Sequence, residues 1–243
     1  MHYEKKGSGK TILLLHGWGD RSDTFKSLLP VLSGGYTVIS LDLPGFGQSE
    51  SPKEIWNLDN YAKFVASFLN KTSNTQLHAI IGHSNGGALA IRGIAKGDLN
   101  PSKLVLLAAS GVRDTEKIRR FIIKIVAKTG KILTFWLPEQ YKKKLQKKLY
   151  GTVGSDMLVA PQLQETFKKT VRQDIQKDAA KLSVPTLLIY GDQDTATPIK
   201  NVGSRLHELI KDSQLQIITG ADHFVHQTSE PATAAYIQEF LTK

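Results

Sequence analysis

The sequence predicts an α/β protein with a mostly parallel central sheet covered by helices on both faces. Three observations carry this. Short apolar runs recur along the chain (Thr11–Leu15, Tyr36–Leu41, Leu77–Ile81, Lys103–Ala109, Pro185–Tyr190, Leu215–Ile218). Segments of helical spacing separate most of them, as in Leu58–Leu69. The runs are continuously apolar rather than alternating, as expected of strands buried on both faces. Glycine-rich or turn-rich loops follow most of them, and in such sheets functional loops gather at the carboxyl ends of the strands.

In chain order, residues 2–6 form a short edge strand and Gly7-Ser8-Gly9 turns it into the Thr11–Leu15 strand. His16-Gly17-Trp18-Gly19-Asp20 is a loop, and Ser22 or Asp23 is the expected cap of the helix carrying Phe25, Leu28 and Leu29. The Tyr36–Leu41 strand runs into Asp42-Leu43-Pro44-Gly45-Phe46-Gly47-Gln48-Ser49. After Leu77–Ile81 comes Gly82-His83-Ser84-Asn85-Gly86, then a small-residue helix over 87–94. The later pattern predicts helices over Ile199–Ile210 and from Glu230 to Leu241, with Pro231 at a tolerated first-turn position.

The 243 residues carry a formal charge of +10. Residues 112–181 hold 17 Lys and Arg against 7 Asp and Glu, while the remainder holds 15 of each, so the whole excess sits in one internal segment. That segment is helical in pattern and broken by Gly130, Pro138, Gly151, Gly154 and Pro161. It divides the chain into a core, 1–111 and 182–243, and a basic helical insertion, 112–181. The absence of cysteine excludes disulfides and thiolate chemistry. No signal peptide is visible and no run approaches a membrane span, so a cytoplasmic protein is expected.

Gly82-x-Ser84-x-Gly86 between a strand and a helix is the pattern of a nucleophilic serine held on a tight turn, where flanking glycines permit close packing. A serine hydroxyl needs a base and a group to orient that base. Of the seven histidines, His223 and His226 follow the last strand. His223 is preferred because it lies nearer the strand end and follows Gly220-Ala221-Asp222; His226 is the alternative. His83 neighbours the serine but is expected to point away from it. Asp194 is preferred over Asp192 as the orienting carboxylate, the other closing the turn with its own side chain. The N–H groups of Asn85 and Trp18 are the expected oxyanion donors.

These motifs, together with Gly191-Asp192-Gln193-Asp194 and Pro198, resemble the α/β-hydrolase family over nearly the whole chain. The resemblance implies the same order of Ser84, Asp194 and His223, with no metal or cofactor. It implies a helical cap inserted after the sixth strand, here 112–181, and a sheet edge trimmed of most of its first two strands. Gly-Ala-Asp-His stands where the family has Gly-x-Gly-His. A serine nucleophile favours ester cleavage over the branches that use aspartate. A thioesterase, a carbon–carbon bond hydrolase with Arg92 or Arg113 on a substrate carboxylate, and a non-catalytic binding protein of the same fold are the alternatives. The expected substrate is a small-molecule ester. The lysine-rich cap suggests an acidic carrier protein or an anionic membrane surface as partner, and nucleic acid is not expected.

Overall fold

The computed structural model describes residues 1–72, 76–113 and 161–243. The elements are β1 (Tyr3–Lys6), β2 (Thr11–Leu15), α1 (Leu28–Ser33), β3 (Thr37–Leu41), α2 (Leu58–Lys71), β4 (Leu77–His83), α3 (Asn85–Lys96) and β5 (Pro101–Leu107). After residue 160 come α4 (Gln164–Val171), α5 (Gln176–Ala179), β6 (Thr186–Gly191), α6 (Gly203–Leu209), β7 (Ser213–Ile218), α7 (Val225–Thr228) and α8 (Glu230–Thr242). The strands form one seven-stranded sheet in the order β1-β3-β2-β4-β5-β6-β7. All pairings are parallel except that of β1 with β3.

The continuous apolar runs split by pleat into two cores. Leu13, Leu15, Ile39, Leu41, Ile80, Leu104, Leu106 and Leu188 join the cluster that holds the buried faces of α2 and α3. Their neighbours Ile12, Leu14, Val38, Ala79, Ile81, Val105, Leu107 and Leu187 face α1 and α8. Each fully buried Leu or Ile contributes roughly 1.5–3 kcal/mol by leaving water. This two-sided demand is why the strands show no polar alternation.

The short edge strand expected over residues 2–6 is present: β1 pairs Tyr3 with Leu41 through Lys6 with Val38. Two expectations are revised. Neither Ser22 nor Asp23 caps a helix; they lie in a 3-10 turn, Ser22–Phe25, and α1 begins only at Leu28 with no side-chain cap. The Ser22 amide is instead drawn across to Asp42 Oδ1 at 2.7 Å. The helix expected over 199–210 is shortened to Gly203–Leu209.

The segment expected to form the cap after the sixth strand follows β5, the fifth strand among the described residues. Its residues 114–160, including the lysine clusters, lie outside the described residues. Residues 161–181 pack onto the core. Leu163, Ile175 and Ala179 belong to the α2–α3 side cluster. Trp56 N–H donates to Thr166 Oγ1 and Leu58 N–H to Gln173 Oε1. Arg92 on α3 ties this return to the core, 2.8 Å from Asp178 on α5 and 3.4 Å from Asp59 on α2. The Asp178 contact is an ion pair whose Nε–H is not aligned on the oxygen. Among the described residues no helix is long and apolar enough to cross a membrane.

Both members of the Arg92–Asp178 pair are largely buried, so removing one strands the other's charge. Arg92→Met is expected to cost about 3 kcal/mol, read as a lower urea midpoint, and Arg92→Met with Asp178→Leu should recover most of it. A wild-type midpoint in the single variant would contradict this account of the α3–α5 contact.

Candidate active site

The turn between β4 and α3 is built by close backbone approach. A Cβ on Gly82 would lie 2.7 Å from the Gly86 carbonyl oxygen and from Gly87 Cα, and one on Gly86 would collide with the Leu15 carbonyl oxygen. Between them Ser84 adopts φ 50°, ψ −115°. Such a conformation costs on the order of 1–3 kcal/mol and persists only where the surroundings fix it. Here Ser84 N–H donates to the Leu107 carbonyl at 2.9 Å, and the Ser84 carbonyl accepts from Gly87, Ala88 and Ser110 N–H at 3.0–3.2 Å. Ser84 thus sits at the N-terminus of a 12-residue helix, where unpaired amides and the helix dipole favour negative charge. Asn85 opens that helix.

The loop after β2 comes to the same place. A Cβ on Gly17 would lie 3.2 Å from Ser84 Cβ and 3.0 Å from His83 Nδ1. Two interactions hold this loop. His16 Nε2 accepts from Leu43 N–H at 2.9 Å, which fixes the proton on Nδ1, from where it is donated to the Gly17 carbonyl at 2.7 Å. The buried Asp42 carboxylate accepts from Ser22 N–H, Gln48 N–H and His2 Nδ1 at 2.7–2.9 Å. Burial would raise the Asp42 carboxyl, but these donors hold it below the usual range. The Trp18 ring lies 4.9 Å from Phe46 and 5.0 Å from Phe167.

At the ends of β6 and β7, His223 Nδ1 lies 2.8 Å from Asp194 Oδ2. The Asp194 side chain is inaccessible, whereas that of His223 is 17% exposed. Ala196 and Thr197 N–H donate to Asp194 Oδ1 at 2.8 and 2.9 Å. The Thr197 hydroxyl stands 2.7 Å from Oδ2 and 3.2 Å from His223 Nδ1. Burial acts to raise the Asp194 carboxyl, and the His223 and Thr197 donors outweigh it, so its pKa is lowered. With Nδ1 turned to the carboxylate, His223 keeps Nε2 for other work.

The competing candidates are otherwise engaged. Asp192 Oδ1 accepts from Gly220 N–H at 2.7 Å and closes the turn. His226 is fully buried with Nε2 2.9 Å from Thr24 Oγ1, and burial pushes its pKa down to about 3. His83 is also buried, and its Nε2–H donates to the His223 carbonyl at 3.1 Å. Its ring lies 4.9 Å from that of His223 and 4.5 Å from that of His226. Burial, then the neighbouring His226 and His223, drive its pKa well down. Arg92, a sequence candidate for a substrate carboxylate, is occupied by Asp59 and Asp178. Sequence reasoning passed over Thr197 and the supporting role of His83. Among the described residues no group of three or more His, Asp or Glu could hold a metal ion.

The signature of the family described as alpha/beta hydrolase fold matches residues 10–177, more than half of the chain. The chain belongs to that family. A second signature, described as TAP-like protein, matches residues 152–243. The chain is 26% identical to the uncharacterized hydrolase YugF of Bacillus subtilis, over 99% of this chain and 92% of that one. It is 27% identical to the pimeloyl-[acyl-carrier protein] methyl ester esterase of Neisseria meningitidis serogroup B, over 96% and 93%. Among solved structures, an esterase from Exiguobacterium antarcticum superposes with a TM-score of 0.75 at 20% identity, covering 100% of this chain and 95% of that one.

The neutral histidines make a prediction about stability. A histidine whose pKa is lowered on folding contributes stability above its unfolded pKa of about 6.5 that is lost as pH falls. His16, His83 and His226 are all lowered by burial. Between pH 7 and 5, His226 alone removes about 2 kcal/mol. The urea midpoint is expected to drop over that interval, and less steeply in His226→Gln. A flat midpoint would contradict burial of the neutral forms.

Proposed function

We propose that the protein is a serine hydrolase that cleaves carboxylic esters through an acyl-enzyme, with Ser84, His223 and Asp194 as its triad. The observation that carries this reading is the 2.8 Å contact between His223 Nδ1 and the buried Asp194 carboxylate, at the same end of the sheet as the strained Ser84. His223 Nε2 takes the Ser84 proton as Oγ attacks the ester carbonyl. Asp194 fixes the tautomer and stabilises the imidazolium. The oxyanion is held by the N–H groups of Asn85 and Trp18, with the α3 dipole behind them. The proton passes from His223 to the departing alcohol; His223 then activates water, which releases the acid and frees Ser84.

The ester reading also draws on the name of the Neisseria relative, a methyl ester esterase. In this reading residues 112–181 form the cap over the core 1–111 and 182–243. Their excess of ten positive charges suits an anionic substrate carrier, an acidic protein or an anionic membrane surface. A cytoplasmic setting is part of the same proposal.

Hydrolysis of p-nitrophenyl esters from acetyl to palmitoyl tests the reading. Turnover is expected to fall about 10⁵-fold in Ser84→Ala and comparably in His223→Ala. Retention of wild-type turnover in Ser84→Ala would sink the mechanism. Inactivity of His226→Ala beside an active His223→Ala would reassign the base.

A further inference from the structure

We propose that Thr197 is a positioning residue that sets the proton balance of the His223–Asp194 pair, by sharing its single hydroxyl proton between the Asp194 carboxylate and the Ala108 carbonyl. The proposal rests on the triad reading above and adds a fourth side chain to it. Thr197 is 5% exposed. Its Oγ1 lies 2.7 Å from Asp194 Oδ2, 3.0 Å from the Ala108 carbonyl oxygen and 3.2 Å from His223 Nδ1. A hydroxyl has one proton to give, so the two oxygens compete for it. A rotation about the Thr197 Cβ–Oγ1 bond moves the proton between them while every heavy atom stays in place.

The two positions differ in what they leave for His223. Asp194 Oδ1 is already filled by the Ala196 and Thr197 amides, so Oδ2 is the oxygen that His223 and the hydroxyl share. With the proton on Oδ2, part of the carboxylate charge is spent on Thr197. With the proton on Ala108, Oδ2 faces His223 alone and an Oγ1 lone pair also faces Nδ1. The first arrangement suits a neutral base awaiting the serine proton. The second suits the imidazolium that follows.

Ala108 is built for this contact. Among the described residues only Ser84 and Ala108 are non-glycines at positive φ, Ala108 at 46°. Its N–H is spent on the Ile189 carbonyl at 2.9 Å, and its own carbonyl is the one Thr197 meets. An outlier held in this way beside an active site is a reason to look for function in it.

The other groups facing the pair do not take this part. Tyr190, against Asp194, gives its phenol proton to the Ala109 carbonyl at 2.7 Å, and burial and then Asp194 keep it protonated. His83 and His226, against His223, are held neutral by burial. Asp222 Oδ1 accepts from Phe224 N–H and from the Thr228 hydroxyl.

The test is the pH dependence of Ser84 labelling by a fluorophosphonate, with p-nitrophenyl acetate hydrolysis in parallel. Removing the hydroxyl takes its 2.7 Å bond to Oδ2 from the neutral state, whereas the imidazolium state, in which Oδ2 already faces His223 alone, loses only the longer 3.2 Å contact with Nδ1, so the protonated form is favoured. The acidic limb in Thr197→Val should therefore move up by about 0.5–1 pH unit. The plateau rate constant should fall several-fold with KM little changed, and Thr197→Ser should restore both. A Thr197→Val limb that coincides with wild type overturns the proposal. So does a Thr197→Ser profile as displaced as that of Thr197→Val, which would show that restoring the hydroxyl does not restore the limb. If Thr197→Val loses its cooperative thermal transition, Thr197→Ala, equally without the hydroxyl, is judged by the same limb. Absence of labelling in the wild type would instead bring down the triad reading itself and this proposal with it.

Discussion

The structure depends on how closely the backbone of α3 can approach β2 and β4. Gly82 and Gly86 leave no room for a side chain, one against the start of α3 and the other against the end of β2. Because the approach is so close, the chain reverses from strand to helix at a single residue, and Ser84 takes the strain. That strain of roughly 1–3 kcal/mol is small beside the two apolar clusters that clamp the strands and helices on either side. The same closeness brings Gly17, and the loop it belongs to, against Ser84.

Charge at this end of the sheet is distributed sparingly. Asp194 and Asp42 are buried and ionised, each saturated by donors, one beneath His223 and one beneath the loop after β2. Burial keeps His16, His83 and His226 neutral. Had His83 carried a proton at neutral pH, it would oppose a positive charge on His223 at a ring separation of 4.9 Å, and a protonated His226 would act in the same sense. Their neutrality leaves the carboxylate as the charge that His223 feels most directly. His83 serves by its N–H, which anchors the His223 carbonyl.

The strands were legible because burial on both faces writes itself as unbroken apolar runs, and the turn at Ser84 because its glycines are forced by contact. What was not legible depends on partners distant in sequence. Ser22 was expected to cap a helix, but its amide belongs to Asp42, 20 residues away. The hydroxyl of Thr197 meets a carboxylate three residues away, a histidine 26 away and a carbonyl 89 away, and no local pattern announces such a junction. His83 could be dismissed as a neighbour of the serine because the carbonyl it supports is 140 residues on. The start of α1 was placed too early and the length of α6 was overestimated for the related reason that apolar spacing marks a buried face without marking where the helical hydrogen bonds begin and stop.

The end of β5 joins these parts into one mechanical unit. Leu107 accepts from Ser84 N–H and Ser110 N–H donates back to the Ser84 carbonyl, so two bonds fix the Ser84 turn to this short stretch. Between them Ala108 accepts from Thr197, which grips Asp194, and Ala109 accepts from Tyr190 of β6. Both non-glycine residues at positive φ among the described residues therefore lie on opposite sides of a single β4–β5 contact. A shift of β5 would carry Ser84 and Asp194 together and leave their separation nearly unchanged, so their spacing is set by the end of this one strand.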